Sequence, residues 1–389
     1  MKEGSASAPR VALVHDFLLD MRGAERVFLA LCDLFPQADL FTAIYDERGT
    51  EARFAGRRVQ TSFLQALRPT ARTFRPLLPL YPAAMESLDL RGYDLVLSSS
   101  SAWAHGVIPD DGAVHVCYCH NPFRYAWNAR EETLARRDPL TRAALRHVLQ
   151  RWRQWDWIAA QRVDAYVANS DTTRRRIQRY FGRSATVLHP PVVTDRFSPG
   201  PVGEEYVVLS ELMPHKHIDV AVRAFNMLRL PLVIVGNGPD ERRLRRLAGP
   251  TVRFAGRVGD DEAAGTLRRA RALVVTATEE FGIAAVEAQA AGRPVIALRR
   301  GGVRETVLEG TTGAFYDVQD PEALADTVSR FDALAVDPSA CVENARRFDV
   351  EHFRHGVRAI VERALDGERA ARGARRRPPR RARGLSWQS

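Results

Sequence analysis

Residues 272–297 read ALVVTATEEFGIAAVEAQAAGRPVIA. An apolar run, Ala272–Thr276, gives way to a loop, Ala277–Gly282, then a helical stretch, Ile283–Ala291, then a second apolar run, Pro294–Ala297. Strand, helix and strand in this order form one βαβ unit, since parallel strands need a crossover connection and a helix is the usual one.

Outward from this unit the alternation continues. Tyr206–Leu209 (YVVL), Leu232–Val235 (LVIV) and Val252–Ala255 read as strands, and Ile218–Leu228, Asp240–Ala248 and Asp260–Ala270 as helices. Gly236-Asn237-Gly238-Pro239 is first of all a strand-to-helix turn. Before these elements lies a Pro-rich crossing, His189–Gly203, which reads as an interdomain linker. The pattern also fills the amino-terminal half. Arg10–Phe17 (RVALVHDF), Asp39–Tyr45, Tyr93–Ser98, Val114–Cys119, Asp164–Asn169 and Ala185–Leu188 read as strands, with helices over Ala24–Phe35 and Thr172–Tyr180. Two consecutive Rossmann-like halves make an α/β chain with a cleft between them, the usual place for a ligand.

Composition narrows the classes. At 389 residues, with 45% hydrophobic and 27% charged residues, the chain can bury a large core without disulfides or a structural metal. Four cysteines, none in a CxxC pair, make no disulfide framework, and Cys117 and Cys119 stand at strand spacing on one face, as core residues do. No apolar run is long enough to span a bilayer, and MKEGSASAPR lacks a signal core, so a cytoplasmic protein is expected. Of the net charge of +10, eight units come from arginines at and beyond Arg369, where no acid occurs, which leaves the body near neutrality. Such a tail suits nucleic acid or an anionic membrane surface, or is simply a solvated, disordered end. The nearly neutral body and the lack of a nucleic-acid module argue against nucleic acid as a partner. Neither GxGxxG after the first strand nor GxxxxGK[ST] is present, which lowers a nicotinamide enzyme and a P-loop NTPase.

The chemistry concentrates in Glu279-Glu280-Phe281-Gly282-Ile283-Ala284-Ala285-Val286-Glu287. Glu279 lies in the loop and Glu287 on the helix, an offset that a turn of ~100° per residue converts to roughly 80°. Free amides at the helix N-terminus favour an anion. Carboxylates on either side of such a site suit a sugar nucleotide, since acids accept from hydroxyls and amides hold a diphosphate. The plain alternative is two solvated helix acids.

This segment resembles the E-x7-E motif of the family-4 retaining glycosyltransferases. The resemblance runs in order over about residues 10–365. Gly23-Ala24-Glu25 after the first strand is similar to that family's glycine loop, usually GGAE, with Arg22 in the first Gly place. Cys119–Trp127 (CHNPFRYAW), Asn169-Ser170 and His189-Pro190-Pro191-Val192 resemble stretches of its mannosyltransferase-like, surface-polysaccharide branch. Ser210–Asp219 (SELMPHKHID), Phe254–Arg257, Gly292-Arg293-Pro294 and Gly301–Val307 match as well.

The resemblance implies a GT-B fold, two Rossmann-like domains facing each other across a cleft. Expected boundaries are 1–192 for the acceptor-side domain, 193–203 for the linker and 204–344 for the nucleotide-sugar domain. A helix near 345–365 would pack back on the first domain, and 369–389 would be a disordered Arg-rich tail. Carried over residue by residue, Lys216 binds the donor diphosphate, Glu287 the ribose, and Glu279 the sugar hydroxyls. The backbone of Phe281, Gly282 and Ile283 contacts sugar and phosphates. Gly23 lets its loop approach the phosphate or the acceptor, His120 sits near the anomeric carbon, and Arg257 and Val258 lie near the base. The implied activity moves mannose from GDP-mannose, as co-substrate with no further cofactor and no metal, to a lipid-linked saccharide or glycolipid with retention of configuration. A place on the inner face of the membrane would follow.

Several residues keep plainer readings. His120 could be a packed strand-end histidine, Lys216 a solvated loop lysine, and His15-Asp16 a buried pair. Glu211 stands where the family has an arginine beside the diphosphate, so it must point away or pair with Lys216 or an arginine; His215, His217 or Arg304 could supply the lost cation. The segment Arg142–Arg162 interleaves Arg146, Arg151 and Arg153 with Trp152, Trp155 and Trp157, a pattern that suits an anionic membrane interface or a Trp-rich buried face. Arg68, Arg72 and Arg75 add basic residues in the same half. Competing functions are a catalytically silent subunit, suggested by Glu211, and a nucleotide-sugar epimerase on the same fold.

Overall fold

The computed structural model describes residues 9–71, 73–135, 137–331 and 336–375. Arg72, the first eight residues and the tail from Arg376 onward lie outside them.

Two parallel sheets carry the chain. The first contains β1 (Val11–His15), β2 (Asp39–Thr42), β3 (Val59–Thr61), β4 (Leu95–Ser100), β5 (Val114–Cys119), β6 (Ala165–Ala168) and β7 (Ala185–Val187). Their order is β3-β2-β1-β4-β5-β6-β7. The second contains β8 (Tyr206–Leu209), β9 (Leu232–Val235), β10 (Val252–Gly256), β11 (Leu273–Val275), β12 (Val295–Leu298) and β13 (Gly313–Tyr316), in the order β10-β9-β8-β11-β12-β13. Central strands such as LVIV and VIAL are buried along their whole length, as strands covered by helices on both faces must be. The opening segment fits this frame, with Leu273, Val274 and Val275 pairing with Val295, Ile296 and Ala297 across the helix Ile283–Ala290.

Two strands have no clear counterpart in the sequence pattern. β3 (VQT) is a three-residue edge strand, and β13 (GAFY) begins with glycine. Pairing with β2 and β12, not an apolar run of their own, makes them strands. β4 runs to Ser100, two residues past the expected end. The serines of LVLSSS are fully buried because Ser98 and Ser100 hydrogen-bond the rings of His115 and His105, and Ser99 that of His120.

The carboxyl-terminal segment returns to the first sheet. Phe353, Val357, Ile360 and Val361 pack with Leu97, Val116 and Tyr118 in one apolar cluster. The helix expected near 345–365 is Val350–Arg375, and a shorter helix, Pro338–Arg346, precedes it. The longer helix takes in residues 369–375 of the tail expected to be disordered, and the rest of that tail lies outside the described residues. Alanine, glutamate and arginine of DGERAARGAR are good helix formers and extend the helix to Arg375.

Asp16, at the end of β1, is structural. Its carboxylate accepts the backbone N–H groups of Ser101, Ala102, Trp103 and Ala104 at 2.5, 3.2, 2.6 and 2.6 Å. The Trp-rich helix Pro139–Ala160 follows the buried-face reading for two of its three tryptophans. Trp152 and Trp155 pack against Trp103 and Phe123 in the core, and of the three only Trp157 is exposed. No described helix is long and apolar enough to cross a membrane.

Candidate active site in the interdomain cleft

A cleft of about 1200 Å³ lies between the carboxyl ends of the two sheets' strands. It is lined by all ten residues singled out in the sequence: Gly23, His120, Lys216, Arg257, Val258, Glu279, Phe281, Gly282, Ile283 and Glu287.

Two helix N-termini meet there. Gly282 has φ +91°, a conformation that glycine adopts without strain, and it turns the chain into the helix Ile283–Ala290. Gly23 opens the facing helix, Gly23–Leu34, and a Cβ on it would lie 3.2 Å from Ile283 Cδ1. Each N-terminus presents amides without intrahelical partners. The side chain of Phe281 turns away into a cluster with Phe348 and Val192, so its backbone is what the cleft can use.

Lys216 and Glu279 are bonded to one another. Lys216 Nζ donates to Glu279 Oε1 and Oε2 at 2.7 and 2.8 Å. The Lys216 carbonyl accepts from Thr276 Oγ1, and the Glu279 carbonyl accepts from Gly302 N–H, so both side chains start from fixed backbone. Glu287 faces Arg26 of the other domain at 3.5 Å; burial raises its carboxyl pKa despite that cation. Arg257 is held at the cleft mouth by Asp20 and Glu51 at 3.3 and 3.1 Å, and Val258 packs on the carboxyl-terminal core.

His120 follows β5, with Nε2 2.9 Å from Ser99 Oγ. Burial, with His15 nearby, pushes its pKa down from 6.5 to about 3. The folded chain therefore keeps this imidazole neutral where the unfolded chain protonates it. Between those values the unfolded state binds more protons, so stability falls as pH falls through that window. His120→Gln should remove this contribution, which changes by about 2 kcal/mol between pH 7 and 5. Denaturant melts of both proteins at the two pH values measure it; equal pH sensitivity would show that His120 does not stay neutral.

The sequence pattern gives no sign of a second layer of charge. Glu280, next to Glu279, takes different partners. Its carboxylate lies 2.9 Å from Arg124 and 3.4 Å from Arg176. Burial alone would raise its pKa, but Arg124, Lys216 and Arg176 outweigh that and hold it below the usual value. Arg26 and Arg196 both reach Asp260, at 2.6 and 3.2 Å. Glu305 accepts the backbone N–H of Asp171 and lies within hydrogen-bond distance of His189 Nε2, both at about 3 Å. Arg124 was within reach of sequence reading, since it sits in the CHNPFRYAW stretch. Its partner was not, because two adjacent glutamates look alike until the fold gives them different partners.

Glu211 does pair with an arginine. Arg22 Nη2 lies 3.4 Å from Glu211 Oε1. The three expected substitutes are corrected: His215, His217 and Arg304 do not line the cleft. Burial, then Arg124 and Lys216, push His215 down to about 4, so it carries no charge to offer at neutral pH. Among the described residues no cluster of three or more His, Cys, Asp or Glu side chains could hold a metal ion.

Known proteins resemble the chain on both sides of the cleft. Residues 21–196 match the family described as Glycosyltransferase Family 4, and residues 194–348 match Glycosyl transferases group 1. A GDP-mannose-dependent alpha-(1-6)-phosphatidylinositol monomannoside mannosyltransferase of Mycolicibacterium smegmatis is 32% identical over 273 residues, 61% of this chain and 68% of that protein. Against other curated relatives the matched stretch spans 52% to 58% of their length. Among solved structures, sucrose-phosphate synthase from Thermosynechococcus elongatus superposes with a TM-score of 0.71 over 92% of this chain and all of that one, at 19% identity. Anabaena HepE in complex with UDP and glucose superposes at 0.68 over 91% of this chain and all of that one, at 16% identity. Two parallel α/β domains, family matches that together run from residue 21 to 348, and a relative at 32% identity lead to one conclusion: the chain belongs to the family-4 glycosyltransferases of GT-B fold.

Proposed function

We propose that this glycosyltransferase moves mannose from GDP-mannose to a lipid-linked saccharide or glycolipid, with retention of configuration, in polysaccharide assembly. The observation that carries this reading is the convergence of two helix N-termini, Lys216 and the Glu279 and Glu287 carboxylates on one interdomain cleft. Mannosyl transfer from GDP-mannose is what the name of the mycobacterial relative states of that protein.

In this reading the diphosphate lies against the amides of Gly282 and Ile283, with Lys216 beside it. As the bond between the sugar and the diphosphate breaks, negative charge grows on the leaving group, and fixed amides and an ammonium stabilise it without reorganising. Glu279 receives sugar hydroxyls once Lys216 turns to phosphate. Glu287 accepts from the ribose. His120, neutral, offers a hydrogen bond near the anomeric carbon rather than a charge. The acceptor hydroxyl enters on the face the diphosphate leaves, which preserves configuration. Closure of the domains excludes water that would otherwise hydrolyse the donor.

A lipid-borne acceptor is supported by exposed apolar groups next to exposed arginines in the amino-terminal domain. Phe63, Leu67 and Leu80 accompany Arg68 and Arg75, and Leu140, Trp157 and Ile158 accompany Arg146 and Arg151. Both regions pack on the same core cluster through Leu77, Leu78, Trp152 and Trp155. In our reading the enzyme works at the cytoplasmic face of the membrane.

The test is a thermal-shift series with GDP, UDP, ADP and their sugar conjugates. Ligand at about 100 times its Kd adds roughly 2.7 kcal/mol to stability. We expect GDP and GDP-mannose to raise the melting temperature most. A shift confined to uridine nucleotides would replace the donor, and no shift with any nucleotide would favour the silent-subunit reading.

A further inference from the structure

Arg22 and Glu211 form an ion pair between opposite walls of the cleft. They come from different domains, and they face each other across the cleft at 3.4 Å. Glu25 Oε2 accepts the Arg22 backbone N–H at 3.1 Å, which fixes the Cα of Arg22 at the head of the helix Gly23–Leu34. The guanidinium itself is held loosely. Its side chain is 46% exposed, and its contacts to Glu211 and Asp20 are 3.4 and 3.5 Å. Other cations of the cleft are gripped more closely: Lys216 by Glu279 at 2.7 Å, Arg26 by Asp260 at 2.6 Å and Arg124 by Glu280 at 2.9 Å. A long ion pair exchanges partners more readily than a short, well-aligned one. Glu211 lies on the wall that carries Lys216, so its carboxylate would repel an incoming diphosphate if left unpaired.

We propose that Arg22 is a donor-binding residue. Its guanidinium neutralises Glu211 in this structure and turns to the diphosphate of the nucleotide sugar when the donor enters. A planar fork of N–H donors suits phosphate oxygens. A cation of the amino-terminal wall then joins Lys216 of the carboxyl-terminal one. Because the donor is then held by both domains, its binding draws the cleft closed. The proposal rests on the reading of the cleft as a nucleotide-sugar site.

The experiment is calorimetric titration of the full chain with GDP and UDP, and with guanosine and uridine as controls lacking phosphate. Arg22→Gly should weaken binding of the nucleoside diphosphate about tenfold and leave nucleoside binding unchanged, since a charge-assisted contact to phosphate is lost. Glycine is tolerated at a helix cap, and Arg22→Gln, which keeps the aliphatic stem, should repeat the loss. Adding Glu211→Arg to Arg22→Gly should restore binding to within about threefold of wild type, because the guanidinium returns from the opposite wall. Wild-type affinity for the diphosphate in both single variants would overturn the assignment while leaving the nucleotide site intact. A wild-type chain that binds neither diphosphate would overturn both readings.

Discussion

Lys216→Ala is expected to lower sugar transfer by about a hundredfold or more, with the fold intact. The lysine lines the cleft together with the helix N-terminus that would hold the leaving group, and Glu279 already fixes its ammonium through two hydrogen bonds. A group that meets charge as it develops counts for more than one that binds substrate and transition state equally. Glu279→Ala should cost at least about tenfold, because it removes both a sugar contact and the lysine's anchor. The two losses should not add in the double variant, as residues acting as a unit do not. Stability should fall by about 1 to 3 kcal/mol, since the pair is only a fifth exposed and each change leaves a charged partner behind. Initial rates with saturating donor, set beside melting curves, measure this. Near-wild-type rates in both single variants would remove Lys216 and Glu279 from the chemistry.

Asp16→Ala should act on the fold instead. Four backbone N–H groups from Ser101 to Ala104 converge on this buried carboxylate. Alanine leaves all four without their acceptor at a site water cannot readily reach. The expected loss is about 3 to 5 kcal/mol, the range for breaking a buried charged network by removing one partner. In a domain of this size that lowers the melting temperature by roughly 10 °C. Asp16→Asn, with one acceptor oxygen left, should fall between. Calorimetry of the three proteins decides; an alanine variant melting within about 2 °C of wild type would show that the turn does not depend on Asp16.

Other roles became visible only in the structure. Trp152 and Trp155 sit at spacings that serve an interface as well as a core, and contact with Trp103 and Phe123 settles them as core. Glu279 and Glu280 are adjacent and chemically alike. One faces Lys216 and the other Arg124, because the chain at these residues is already entering the turn that Gly282 completes into the helix. β3 and β13 were illegible for a related reason: an edge strand is specified by the strand it joins, and little of that specification lies in its own residues.

The sequence by itself determined the doubly repeated α/β architecture and the segment around Glu279 as the place to look for chemistry. Apolar runs at strand length, helical periodicity and turn residues are local properties, and burial of those runs follows from them. Which charges meet was decided by tertiary structure alone. Arg22 and Glu211, Arg26 and Glu287, and Arg124 and Glu280 are each far apart along the chain, and each pair closes across the cleft only when the two domains stand face to face. A Coulomb interaction depends on distance in space, and distance along the chain says almost nothing about it until the fold has brought the ends together.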